Sequence, residues 1–198
     1  MPKAEPNRDG GLFPGALSLN GGKPSETCMI IDDFSNPGRL AFNGATWELF
    51  TDQVMGGISR GTLTREIVAD RSALRMCGSV SLENNGGFVQ MSLDLNPNGT
   101  AFDASRYDGI EIDIFGNGER YNLHLRTMHT LRPWQSYRLS FPTHSKWQTV
   151  RLPFERFSAH RIDRALDLKS LRRISLVAID RAFEADLSVS RVSFFDGS

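Results

Sequence analysis

Phe88-Val-Gln-Met-Ser-Leu-Asp-Leu95 decides the fold, because its side chains alternate: Val89, Met91, Leu93 and Leu95 face one way and Gln90, Ser92 and Asp94 the other. Period two is the repeat of a strand, so this stretch is a strand with one apolar side. Gly109-Ile-Glu-Ile-Asp-Ile-Phe115 repeats the pattern with Ile110, Ile112 and Ile114 inward, and Tyr121-Asn-Leu-His-Leu-Arg126 with Tyr121, Leu123 and Leu125 inward. Further strands are expected over about 29–34, 47–50, 62–68, 73–77, 135–141, 147–152, 174–179 and 186–195, with Gly, Pro, Asn and Asp clusters between them. Helix is confined to single turns around 153–157 and 168–171. About ten short strands, each with one apolar face, must cover those faces with one another. The expectation is an all-β fold, a two-sheet antiparallel jelly-roll sandwich. Trp47, Trp147 and Phe154 sit beside apolar alternation and are read as core. No internal repeat suggests a propeller or solenoid.

The bulk properties set the frame. Residues 1–27 are rich in Pro, Gly and Asn without periodicity and are expected to form a flexible tail, leaving 28–198 as a single domain. A chain of 198 residues buries enough surface to need neither disulfide nor metal. Only Cys28 and Cys77 are present, without the spacing of a zinc site, and two reduced thiols are expected. Lys plus Arg and Asp plus Glu both total 23, so no basic footprint for nucleic acid stands out. No apolar run approaches the roughly 20 residues of a membrane span, and no export signal opens the chain.

Two glycine-centred strings stand out, Asp52-Gln-Val-Met-Gly-Gly-Ile-Ser-Arg-Gly61 and Glu83-Asn-Asn-Gly-Gly-Phe88. Glycine pairs permit positive φ and close backbone approach, so both read as tight loops, with Gly57 and Gly87 expected at positive φ. Asp52 is expected to cap a turn through backbone N–H groups, and Asn84 and Asn85 to accept left-handed conformations. Asp52 and Glu83 as an acid–base pair, or as hard-cation ligands, form a weaker pattern: the loop offers only Asp52, Gln53 and Ser59 as oxygen donors. Neither string is a phosphate loop or dinucleotide fingerprint, and Ser59 as a nucleophile with His124 or His129 has no oriented third partner. No catalytic residue, metal or cofactor is assigned.

The outward residues Gln90, Ser92, Asp94, Glu111, Asp113, Asn122, His124 and Arg126 would make one polar surface if their three strands are neighbours. Arg126 is then expected opposite Glu111 or Asp113, poised to hold a carboxylate, a sugar hydroxyl or a partner backbone. Tyr107, Trp134 and Tyr137 are candidate aromatic platforms. The residues assigned to ligand or partner binding are Asp52, Met55, Gly56, Gly57, Ser59, Glu83, Asn84, Asn85, Arg126, Trp134 and Tyr137.

Asp32-Asp-Phe34, Trp47, the Asp52 to Gly61 string, Gly78-Ser-Val-Ser-Leu-Glu-Asn-Asn-Gly-Gly-Phe88, Tyr107-Asp-Gly-Ile110, Tyr121, Leu123, Arg126-Thr127, Tyr137 and Trp147-Gln-Thr-Val-Arg-Leu-Pro-Phe154 together resemble the complex I intermediate-associated protein family. The likeness covers about residues 30–195. It implies a galactose-binding-like jelly-roll and a non-enzymatic, chaperone-like role in assembling respiratory complex I (NADH:ubiquinone oxidoreductase). The implied partners are complex I subunits or other assembly factors, with peripheral membrane association through them. Without a mitochondrial presequence, the bacterial cytoplasm is the expected location. The alternative is a module of the same fold binding carbohydrate or another small ligand.

Overall fold

The computed structural model describes residues 28–197; the expected tail, 1–27, lies outside the described residues. Two six-stranded antiparallel sheets stack face to face. The first runs β3 (Arg60–Val68), β4 (Arg71–Val80), β12 (Phe183–Phe195), β6 (Gly109–Gly116), β9 (Gln148–Pro153), and β1 (Cys28–Asp32) pairs with the C-terminal part of β12. The second runs β10 (Ser158–His160), β8 (Ser136–Pro142), β7 (Arg120–Thr127), β11 (Leu171–Ile179), β5 (Phe88–Asp94), β2 (Glu48–Thr51). The strands fall where alternation put them, apart from β10, whose three residues are too few to show a period. Single 3-10 turns form at Phe154–Arg156 and Leu168–Ser170.

The inward residues of the three quoted strands are all buried in one core between the sheets. Each fully buried Leu, Ile, Val or Met contributes about 1.5–3 kcal/mol, which is why alternation this regular fixes register. Trp47 lies in the same core and donates Nε1–H to the buried Asp32 carboxylate at 2.8 Å. Phe154 is buried as expected, but Trp147 is not a core residue: it is half-buried, edge-on to Phe115, with Nε1–H donated to the carbonyls of Val68 and Ala69. It therefore pins the β3–β4 turn against β9.

The single polar surface does not form. β5 and β7 flank β11 in the second sheet, whereas β6 belongs to the first, so Glu111 and Asp113 lie on the opposite side of the sandwich from Arg126. Glu111 is held by Arg151 at 2.7 Å, and Asp113 accepts from the Thr149 hydroxyl at 2.5 Å. Alternation within a strand says which side faces out, but not which sheet the strand joins. Tyr107 also offers no platform: it is buried and stacked on Phe194. Cys28 and Cys77 are free thiols.

Candidate functional site

β2 ends at Thr51 and passes at once into a 3-10 turn, Asp52–Met55, where the Thr51 hydroxyl accepts from Gln53 N–H. Gly56 closes the turn at φ 89°, a left-handed conformation costly for any residue with a Cβ. The Asp52 side chain turns inward and is fully buried. Its Oδ1 accepts from Ser59 N–H at 2.9 Å, and its Oδ2 from the Ser59 hydroxyl at 2.5 Å, Gly87 N–H at 2.5 Å and Phe88 N–H at 3.3 Å. The Ser59 oxygen in turn accepts from Ser81 N–H at 2.9 Å. One carboxylate thus ties together both glycine strings and, through Ser59, the segment leaving β4. Burial works against its charge, yet the Ser59 hydroxyl and the N–H groups of Gly87, Ser59 and Phe88 outweigh it and hold the carboxyl below the usual range.

The glycines serve this latch in two ways. Gly56 and Gly87 adopt positive φ, 89° and 131°. Gly57 does not, contrary to expectation; a Cβ there would lie 2.3 Å from the Asp52 carboxylate, and one on Gly86 would lie 2.4 Å from Oδ2. Those two positions are glycine because the carboxylate occupies the space of a side chain. Asn84 takes the expected left-handed conformation, φ 55°. Glu83 is exposed while Asp52 is sealed, so the two do not share an acid–base environment.

Fixing these loops displays apolar side chains. Val54 is 72% exposed, Met55 56%, Ile58 43% and Leu82 53%, all within or beside the latched segments. Beside them a shallow groove of about 710 Å³ runs between the edge strands of the two sheets, lined by Leu49, Phe50, Gln53, Val54, Arg60 and Cys77 among others. Of these apolar residues, the sequence reading picked out only Met55. Large apolar residues inside glycine loops, away from any period-two run, were the available signal for the rest.

The remaining candidates do not join this end. β5 and β7 both run antiparallel to β11, so the start of β5 at Phe88 and the end of β7 at Thr127 lie at opposite ends of the sheet. Arg126 therefore sits far from the latch and serves its own loop, donating to the carbonyls of Thr130 at 2.8 Å and Arg132 at 3.0 Å. Trp134, on that loop, is half exposed. Tyr137 is buried, with its hydroxyl donated to the carbonyls of Arg164 and Ala165, so it is not a platform.

The outer face of the second sheet carries a third arrangement. Registered pairs place Glu48, Ser92, Ser175, His124, Arg138 and Ser158 in one row across all six strands. The neighbouring row holds Phe50, Gln90, Val177, Asn122 and Ser140, and Asp94 and Arg173 pair in the row beyond. Ser92, Ser175, His124, Asn122 and Val177 are buried although they face away from the core. Small side chains here form a sunken floor beneath longer ones. Ser92 and Ser175 share a hydrogen bond at 2.8 Å, and Arg173 grips Asp94 with two bonds. Among the described residues no group of His, Cys, Asp and Glu could hold a metal ion, and no helix is long and apolar enough to cross a membrane.

The sandwich is a galactose-binding-like jelly-roll, the fold of carbohydrate-binding modules. It is similar to the family 11 module from Clostridium thermocellum solved with a β-1,3-1,4-mixed-linked tetrasaccharide (TM-score 0.64, 16% identity, covering 86% of this chain and 96% of that one). It is similar too to the family 30 module of a Clostridium thermocellum cellulosomal cellulase (TM-score 0.56, 14% identity, 87% and 99% covered). An exo-β-agarase contains a similar unit (TM-score 0.59, 10% identity), with 86% of this chain matched to 25% of that one. At these identities the likeness shows the fold. No curated protein sequence matches significantly. The sequence matches the complex I intermediate-associated protein 30 family over residues 33–189, and the chain belongs to that family.

Proposed function

We propose that this chain is a non-enzymatic protein-interaction domain that serves the assembly of respiratory complex I, docking partners through the latched loops. Family membership supports the complex I part of this role. The observation that carries the docking part is the cluster of Val54, Met55, Ile58 and Leu82, exposed on loops that the buried Asp52 holds rigid. Preformed apolar contacts lose little conformational freedom on binding, which favours protein association. A cytoplasmic location, at the inner face of a bacterial membrane through its partners, goes with this role.

The test is mild crosslinking of the tagged protein in its own cells, affinity purification and mass spectrometry, with a Met55→Asp/Ile58→Asp variant alongside. Enrichment of NADH:ubiquinone oxidoreductase subunits that disappears in the variant is the expected result. Equal recovery by the variant would overturn the loop surface as the contact. A second role, binding carbohydrate or another small ligand, is favoured by the sunken polar face of the second sheet and by the likeness to carbohydrate-binding modules.

A further inference from the structure

Among the described residues His124 has no hydrogen-bond partner. It is 7% exposed, makes no hydrogen bond to any described residue, and its Nε2 is sealed from solvent. Burial drives its pKa down to about 3, with Arg138 and His160 adding repulsion, so the ring is neutral and presents one donor and one acceptor. A buried polar group left unsatisfied is costly, and nothing in the sheet repays it.

Its cross-strand neighbour is Arg138. That guanidinium spends Nε–H on the Ser136 hydroxyl at 2.9 Å and, among the described residues, has no carboxylate within salt-bridge distance and keeps both terminal nitrogens uncommitted. Asp180 acts on it only at longer range and against the repulsion of Arg161, so burial of the guanidinium is incompletely compensated. Burial pushes the Arg138 guanidinium down, as it does that of Arg126, on which Arg173 and Arg172 also press. The floor beside them holds hydroxyls, an amide and one aliphatic side chain: Ser92, Ser175, Asn122, Val177 and, at its margin, Ser140. The one aromatic ring in these rows is Phe50, at the β2 edge, where Arg173 already lies over it.

We infer that the outer face of the second sheet binds an acidic oligosaccharide, with a carboxylate of the sugar on the terminal nitrogens of Arg138 and a sugar hydroxyl on the imidazole of His124. The inference rests on the second role named above and is independent of the apolar loops. A neutral glycan needs aromatic platforms, which this floor lacks; an acidic one brings a carboxylate into direct contact with Arg138, which Asp180 reaches only at longer range.

The experiment is titration calorimetry of the full chain with oligogalacturonate, a neutral cello-oligosaccharide and a short oligoglutamate peptide, repeated with Arg138→Gln and His124→Phe. Binding of oligogalacturonate, weakened about tenfold or more by either substitution while both variants keep the wild-type fold, is the expected result. Equal binding of the neutral sugar, unaffected by Arg138→Gln, would overturn the acidic ligand and leave a carbohydrate module. Binding of oligoglutamate alone would make the face a protein contact and overturn both. Silence of the folded wild-type chain with all three would overturn both.

Discussion

At the loop end the Asp52 carboxylate is fully buried and accepts four hydrogen bonds, whereas on the outer face of the second sheet His124, buried nearly as deeply, makes none to any described residue. Both are polar groups withdrawn from water, but their energetics differ in sign. Asp52 exchanges hydration for a complete set of donors and so stabilises the loops around it. His124 loses hydration without replacement, and the fold carries that cost. A saturated polar site is architecture, and an unsatisfied one leaves bonding capacity for something that arrives later. The glycine strings build the first kind; in the proposed role they act through the shape they impose on Val54, Met55, Ile58 and Leu82.

The largest test of this contrast is Asp52→Ala, which strands the N–H groups of Ser59 and Gly87 and should cost roughly 3–5 kcal/mol in urea denaturation. A loss below about 1 kcal/mol would show that the latch is ornamental. Next come the glycines. Gly86→Val and Gly57→Val drive a side chain into the carboxylate and should cost about 2–4 kcal/mol. Gly56→Val meets no neighbouring atom and suffers only its φ, about 1–2 kcal/mol. Equal losses at all three would erase the distinction between close approach and conformation.

On the sheet face the expected effects are smaller and partly reversed. Arg126→Ala removes two bonds to carbonyls of its own loop and should lower stability by about 1–2 kcal/mol, which corrects the expectation of a free contact residue. His124→Phe removes an orphaned polar group and should leave the melting temperature unchanged or raise it. The pH dependence sharpens the point. An unfolded imidazole takes up its proton near 6.5, while the folded one resists until about 3, so the cost of keeping His124 neutral is smallest above 6.5 and grows, at the expense of folding stability, as pH falls through that window. His160, also lowered by burial, acts in the same direction. Relative to wild type, His124→Phe should therefore flatten the fall in melting temperature between pH 7 and pH 4, measured by scanning calorimetry. Asp52, whose carboxyl is lowered, loses its contribution only as pH drops below 3.8 toward its folded value, so Asp52→Asn should leave the slope of that interval unchanged.

Smallest of all should be Met55→Asp and Ile58→Asp, within about 0.5 kcal/mol because both side chains are exposed. That is what makes them usable probes of partner binding.

Much of the fold was readable in the chain because period two survives any tertiary arrangement. Val89, Met91 and Leu93, Ile110, Ile112 and Ile114, and Tyr121, Leu123 and Leu125 are all buried as their spacing required. The latch was half readable: glycine pairs and a preceding aspartate announced tight loops. That Asp52 reaches Gly87, and that Gly57 and Gly86 yield their space to its carboxylate, depends on a contact 35 positions apart in sequence. The exposed loop residues Val54, Ile58 and Leu82 carried no motif, since an apolar residue in a loop is ambiguous until its exposure is known. Tyr137 misled for the converse reason, because an aromatic flanked by polar residues reads as surface until the hydroxyl's backbone partners are seen.

By itself the sequence determined the side chain directions within each strand, the sandwich class and the two conspicuous loops, because these follow from local periodicity and backbone conformation. Only the tertiary structure decided which strands share a sheet. That assignment separated Glu111 and Asp113 from Arg126, set Arg138 beside His124, and brought both glycine strings onto one carboxylate. Strand pairing is made by backbone hydrogen bonds that every residue but proline can form, so the chain's local chemistry does not encode the partner, and the packing of the whole core selects it.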